Sequence, residues 1–207
     1  MAHSMTLFYA PHVCSLAPHI VLRELGIAFE LERVDLRTKR TARGDDFHAI
    51  NPKGYVPALR FADGSVLTET AIIMRHLADT YPESGLAPIH GSALRLRFDE
   101  WLHFVATELH KGFTPLTIMA GASEESKRWA ASRLSGKISL LEGQLRDRDY
   151  LFGDRFTILD AYGFWAIRNY ATLTKADLSS RLLAYRERMQ SRPSIRAALD
   201  AEGHRLP

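Results

Sequence analysis

The chain changes character at Pro82. Before it, strand-like and helix-like apolar patterns alternate. From Pro82 to Gly91 come two prolines and two glycines, which break regular structure. Beyond Gly91 every periodic segment is helical. In 207 residues with 46% hydrophobic content, this break predicts two small domains with separate cores. The reading is a mixed domain at residues 5–82, a linker at 83–91 and an all-helical domain at 92–207. Met5 reads as the natural start, with residues 1–4 as an appended piece outside the fold.

In the first domain, Thr6-Leu7-Phe8-Tyr9 reads as a strand stopped by Pro11. Leu16, Ile20 and the 22–25 region form a helical stripe ended by Gly26. Pro18 fits only in a first helical turn, so that helix begins just after Cys14. Phe29 and Leu31 alternate with Glu30 and Glu32, a second strand, and strand–helix–strand implies a parallel pair. Residues 57–61 and 66–68 flank Asp63-Gly64, a hairpin signal because the turn needs positive φ. Ile72, Ile73, Leu77 and Tyr81 mark a helix that stops before Pro82. With a further helical piece near residues 42–49, the order is βαβαββα, the thioredoxin arrangement: an α/β domain followed by an all-α one.

In the second domain Phe98, Leu102, Val105 and Leu109 share one helical face, and Leu134, Ile138, Leu141 and Leu145 another. Thr157 with Asp160 forms a capping-box variant, with Phe156 in the staple position.

The net charge of +3 is too balanced to predict a nucleic-acid partner. Arg37, Lys39, Arg40 and Arg43 form the densest basic stretch, closed by Asp45 and Asp46; it reads as a solvated loop with room for an anionic ligand. No apolar run reaches the ~18 residues of a membrane helix. The N-terminus has no signal region. The single cysteine excludes an internal disulfide, and together these features suggest a cytoplasmic protein.

That cysteine, Cys14, falls between a strand end and a helix start. Unpaired N–H groups there stabilise a thiolate. A buried inert cysteine is the alternative; the loop-like neighbours Pro11, His12 and Ser15 favour the reactive reading. A redox thioredoxin needs a second cysteine three residues on, where this chain has Ala17. Thiol chemistry must therefore borrow an external thiol, and glutathione is the abundant candidate. Val56-Pro57 opens the third strand, and in this fold the bond is expected to be cis, offering the backbone of Val56 to an extended peptide. Thr70, or less favourably Thr68, caps the next helix, whose free N–H groups suit a γ-glutamyl carboxylate. Glu69 could pair with the corresponding ammonium. In the helical half Glu100, His103, Thr107, His110 and Lys111 line the polar face, with a bend expected at Gly112. His103 and His110 lie roughly 10 Å apart along a helix rising ~1.5 Å per residue, too far to share a metal ion.

These residues resemble the bacterial beta-class glutathione S-transferases over residues 5–203. The specific runs are Asn51-Pro52-Lys53-Gly54 and Thr107-Glu108-Leu109-His110-Lys111-Gly112-Phe113. Tyr9 through Ala17, Val34-Asp35-Leu36, Val56 to Leu59, Gly153 to Thr157 and Asp160-Ala161-Tyr162 also match. The resemblance implies glutathione as co-substrate, held by Tyr9, Ser15, Lys39, Val56, Pro57, Glu69, Thr70 and His103, with Cys14, His110 and Lys111 as catalytic groups. It implies a homodimer, no metal, and conjugation of the glutathione thiolate to hydrophobic electrophiles, with redox activity through Cys14. A glutaredoxin-like exchanger and a non-catalytic binding protein are the alternatives. Thr70 stands where serine is usual and His103 where asparagine is frequent, and Tyr9 is not expected to play the catalytic role tyrosine has in other classes. The electrophile pocket is expected among Phe113, Leu116, Ile118 and Trp165.

Overall fold

The computed structural model describes residues 5–117, 119 and 121–204. The elements follow in the order β1 (Met5–Tyr9), α1 (Leu16–Glu24), β2 (Phe29–Asp35), β3 (Arg40–Thr41), α2 (Phe47–Ile50), β4 (Ala58–Arg60), β5 (Val66–Thr68) and α3 (Thr70–Thr80). The sheet order is β3-β2-β1-β4-β5; β1 and β2 are parallel and the other pairs antiparallel. This is the expected thioredoxin-like arrangement plus one short edge strand, β3. Two residues are too few for a period-2 pattern, so β3 left no sequence signal.

Local chemistry sets the boundaries. Pro18 is the third residue of α1, inside the first turn, where its missing N–H takes nothing from the helix. The β4–β5 hairpin turns through Phe61 to Ser65. Gly64 takes φ +86°, and Asp63 Oδ1 accepts from the Ser65 amide at 2.9 Å. The inner strands are buried at Leu7, Phe8, Ala58 and Leu59. The expected basic loop instead folds back on β2. Arg43 bonds Glu30 and the largely buried Glu32, both at 3.0 Å.

The chain divides into two compact units, one reaching Ser84 and resuming at Arg192, the other Gly85–Ser191. The first boundary lies within the expected linker. The C-terminal helix α9 (Pro193–Ala201), expected in the helical domain, belongs instead to the mixed unit. Its Ile195, Ala198 and Leu199 are fully buried, and Arg192 and Ser194 bond Glu24 at the end of α1. An amphipathic helix has the same pattern whichever core it covers, so periodicity could not assign it.

The second unit contains α4 (Ala93–Phe104), α5 (Thr114–Thr117), α6 (Glu124–Gly143), α7 (Ile158–Thr174) and α8 (Ser180–Ser191). Both predicted leucine-rich faces are buried. Apolar on nearly every side, α7 runs through the core, and its start depends on one side chain. Asp160 is fully buried. Its Oδ2 accepts from the Thr157 amide and hydroxyl, each at 2.9 Å; Oδ1 accepts from the Leu151 amide at 2.8 Å and Tyr185 Oη at 3.2 Å. The capping box anticipated from Thr157 and Asp160 is present, and it also ties in α8 through Tyr185.

Asp160→Ala strands several of these donors in a dry interior. At about 1 kcal/mol or more per buried unpaired group, urea unfolding should show a loss of about 3 kcal/mol. Burial pushes the Asp160 carboxyl up from 3.8 to about 6, against the pull of its four donors. The folded protein thus holds a proton that the unfolded chain releases, so this group's contribution falls as pH rises between about 4 and about 6. Asp160→Asn, which carries no such proton, should flatten that slope in unfolding free energies measured across the same window.

Candidate functional site

In the mixed unit, the loop from Ala10 to Ser15 delivers Cys14 to the start of α1. Ser15 closes the loop: its hydroxyl donates to the Ala10 carbonyl at 3.0 Å and accepts from the Ala10 amide at 3.2 Å. Ser15 is fully buried, and its hydroxyl holds the loop. Cys14 is 6% exposed, and its Sγ donates to the Val56 carbonyl at 3.5 Å. The sulfur is therefore covered but not packed among hydrocarbon alone. It lies against the backbone of the segment that the sequence singled out, and Val56-Pro57 is cis as expected.

The Asn-Pro-Lys-Gly run builds that segment. Asn51 Nδ2 donates to the Tyr55 carbonyl at 2.7 Å, and Oδ1 accepts from the Lys53 amide at 3.2 Å. Gly54 has φ +67°, a backbone that favours glycine, and a β-carbon there would lie 2.6 Å from the His48 ring and force it to shift. Lys39, expected to meet glutathione, donates from Nζ to the Gly54 carbonyl at 2.9 Å. It braces the same loop.

At the start of α3 the capping expectation is corrected. Glu69, not Thr70 or Thr68, holds the N-cap position, at φ +76° and ψ 121° and without a side-chain cap. Thr70 is the first helical residue and is buried. Lys53 Nζ bonds Thr68 Oγ1 at 2.9 Å and Glu69 Oε1 at 3.2 Å. Sequence reasoning gave Lys53 no role; its place in the Asn-Pro-Lys-Gly run was the available signal. A non-glycine residue at this φ costs on the order of 1–3 kcal/mol and persists where the surroundings impose it. Tyr9 ends β1, half-buried. Burial first and the Glu202 charge second raise its phenol above the ordinary value, so it stays protonated near neutrality.

In the helical unit, α4 gives way to a π-helical turn at Val105–His110 and a 3-10 turn at Lys111–Phe113, the bend expected near Gly112. A β-carbon at Gly112 would lie 2.9 Å from Leu134, so α6 packs close to this turn. His110 Nδ1 lies 2.6 Å from Tyr162 Oη, and the His110 ring meets Trp165 edge-on at 4.8 Å. Sequence analysis gave Tyr162 no role: 52 residues separate it from His110. Lys111 and His103 are exposed, and the His103 carbonyl accepts from Thr107 Oγ1 at 2.9 Å. Phe113 stacks edge-on against Trp165 at 5.7 Å, Leu116 is half-buried, and Ile118 lies outside the described residues. Among the described residues no His, Cys, Asp and Glu cluster could hold a metal, and no helix is long and apolar enough to cross a membrane.

Comparison with known proteins agrees with both halves. The N-terminal domain of glutathione S-transferase matches residues 13–80, and the C-terminal domain matches residues 108–202. The glutathione S-transferase GstA of Escherichia coli O157:H7 is 46% identical over 96% of this chain and 99% of its own length. A glutathione transferase structure from Methylococcus capsulatus is 50% identical, with TM-score 0.91 over 96% of this chain and 98% of the other. The beta-class enzyme of Sphingomonas chungbukensis is 41% identical, with TM-score 0.90 over the same shares. The chain belongs to the glutathione S-transferase family, and its resemblance is to the bacterial beta class.

Glu69→Gly removes the penalty of a positive φ, a gain offset in part by glycine's freedom in the unfolded chain. A net gain of about 1 kcal/mol, or a rise in Tm of about 2–4 °C for a protein of this size, is expected by calorimetry.

Proposed function

We propose that this protein transfers glutathione to hydrophobic electrophiles. The observation that carries the reading is Cys14 Sγ against the Val56 carbonyl at the start of α1, with buried Thr70 opening α3 in the same unit. Glutathione lies extended along Val56, with its γ-glutamyl carboxylate at the amide end of α3 and its ammonium at Glu69. Its sulfur lies beside Cys14. A sphingomonad glutathione S-transferase, solved in complex with glutathione, is 40% identical with TM-score 0.90, which supports a tripeptide site on this scaffold.

In the reaction the glutathione thiol gives up its proton and the sulfur forms a bond to the electrophilic carbon. The leaving group departs with the electron pair of its old bond. For an aryl halide the products are a thioether, halide and a proton. Helix-terminal amides, His110 and Lys111 favour the thiolate, which is the nucleophile. Phe113, Leu116 and Trp165 supply apolar surface for the electrophile. A second activity, thiol–disulfide exchange through Cys14, rests on the placement of its sulfur in the same segment. The protein acts as a homodimer in a reducing, cytoplasmic setting; Leu94 and Leu96 leave apolar surface on α4 for a second copy.

Thr70→Val should raise the glutathione Kd roughly tenfold, the effect of one lost hydrogen bond of about 1.4 kcal/mol. Isothermal titration reads it, and unchanged affinity refutes the carboxylate site. Cys14→Ala should keep aryl-halide conjugation within about threefold while abolishing exchange with a glutathione mixed disulfide; loss of both makes Cys14 the nucleophile. His110→Ala and Lys111→Ala should each move the pH midpoint of kcat/KM upward, because both are proposed to favour the ionised sulfur.

A further inference from the structure

Three buried polar side chains, His19, Glu202 and His204, connect the C-terminal segment to the Cys14 loop. His19 on α1 places Nδ1 2.8 Å from Glu202 Oε1, and neither side chain is exposed. His204 Nε2 lies 3.5 Å from the second Glu202 oxygen, and the His204 ring meets the His12 ring edge to face at 4.2 Å. Glu202 and His204 follow α9; His12 stands two residues before Cys14. The C-terminal segment therefore touches the cysteine-bearing stretch on both sides, through α1 after Cys14 and through His12 before it.

His12 is the unusual member. It takes φ +67°, the left-handed region, yet is not glycine. Histidine is among the side chains that tolerate this region, and here its ring lies edge to face against His204. Ser15 bonds both backbone groups of Ala10 and closes the base of the loop, while His12 on His204 holds its tip. Cys14 lies between these two fixed points, with its sulfur on the Val56 carbonyl.

We infer that His204 is a positioning residue for Cys14: by carrying the His12 ring it keeps the cysteine loop in the conformation that seats the sulfur against Val56. This extends the reading of Cys14 as neighbour to the glutathione sulfur, and rests on that reading only for its effect on glutathione.

The test compares His204→Ala with His204→Phe in the full-length protein. The phenylalanine variant keeps an aromatic edge for His12; the alanine variant does not. The first readout is the rate at which Cys14 displaces a coloured thiolate from an aromatic disulfide, one per sulfur. The second is the glutathione KM and kcat in conjugation. In His204→Ala the sulfur loses its seat: its reaction should quicken about tenfold and the KM for glutathione should rise about fivefold with kcat within twofold. His204→Phe should restore both values. Wild-type disulfide reactivity in His204→Ala, whatever its melting temperature, overturns the proposal, as does failure of His204→Phe to restore it. Faster disulfide reaction with unchanged KM supports the positioning of Cys14 and counts against Cys14 as glutathione's neighbour. Should His204→Ala fail to fold, His12→Gly removes the other ring while keeping the positive φ; faster disulfide reaction is expected, and wild-type disulfide reactivity overturns the proposal.

Discussion

The mixed unit depends on a carboxylate that water does not reach. Glu202 is buried at the end of α9, and a buried charge survives only with partners at hydrogen-bond distance. His19 on α1 supplies one at 2.8 Å. That bond commits the last helix to the first. Arg192 and Ser194, reaching Glu24, commit it again at the other end of α9. Because α1 is the element that Cys14 opens, the end of the chain helps to set where the sulfur stands. Removing either partner of such a pair costs more than the pair contributes, since the other is left unpaired and dry.

The helical unit solves its version of the problem with Asp160. Four donors converge on one carboxylate where α7 begins, and they come from the preceding loop, the cap residue and α8. From that fixed start α7 presents Tyr162 and Trp165 to His110. A histidine whose ring nitrogen and ring are both engaged by neighbours has one orientation rather than several. His110 closes the π-helical turn that follows α4.

Local signals were legible throughout. Pro18 located the start of α1, Asp63-Gly64 the hairpin, and Thr157 with Asp160 the start of α7, because each rests on the geometry of a few adjacent residues. The thioredoxin-like order and the two leucine faces followed from the same kind of evidence, and the cis Val56-Pro57 bond was expected from that order rather than from the residues themselves. The less legible part was division of labour among polar side chains. Ser15 and Lys39 read as ligands for a tripeptide, and the structure has both holding backbone, at Ala10 and Gly54. Thr70 read as a cap, and Glu69 occupies that position. A hydroxyl or an ammonium looks the same in sequence whether it meets a ligand or a carbonyl of its own chain.

By itself the sequence determined the kind of chain this is: an α/β half and a helical half, a lone cysteine at a helix entrance, and a break at Pro82. These are properties of neighbours, and chain geometry expresses them over a few residues. Only the tertiary structure decided that α9 returns to the first unit, that Glu202 meets His19 across 183 positions, and that His204 lies against His12. Such pairings arise when burial forces polar groups to find partners wherever packing brings them, and sequence separation carries no trace of that search.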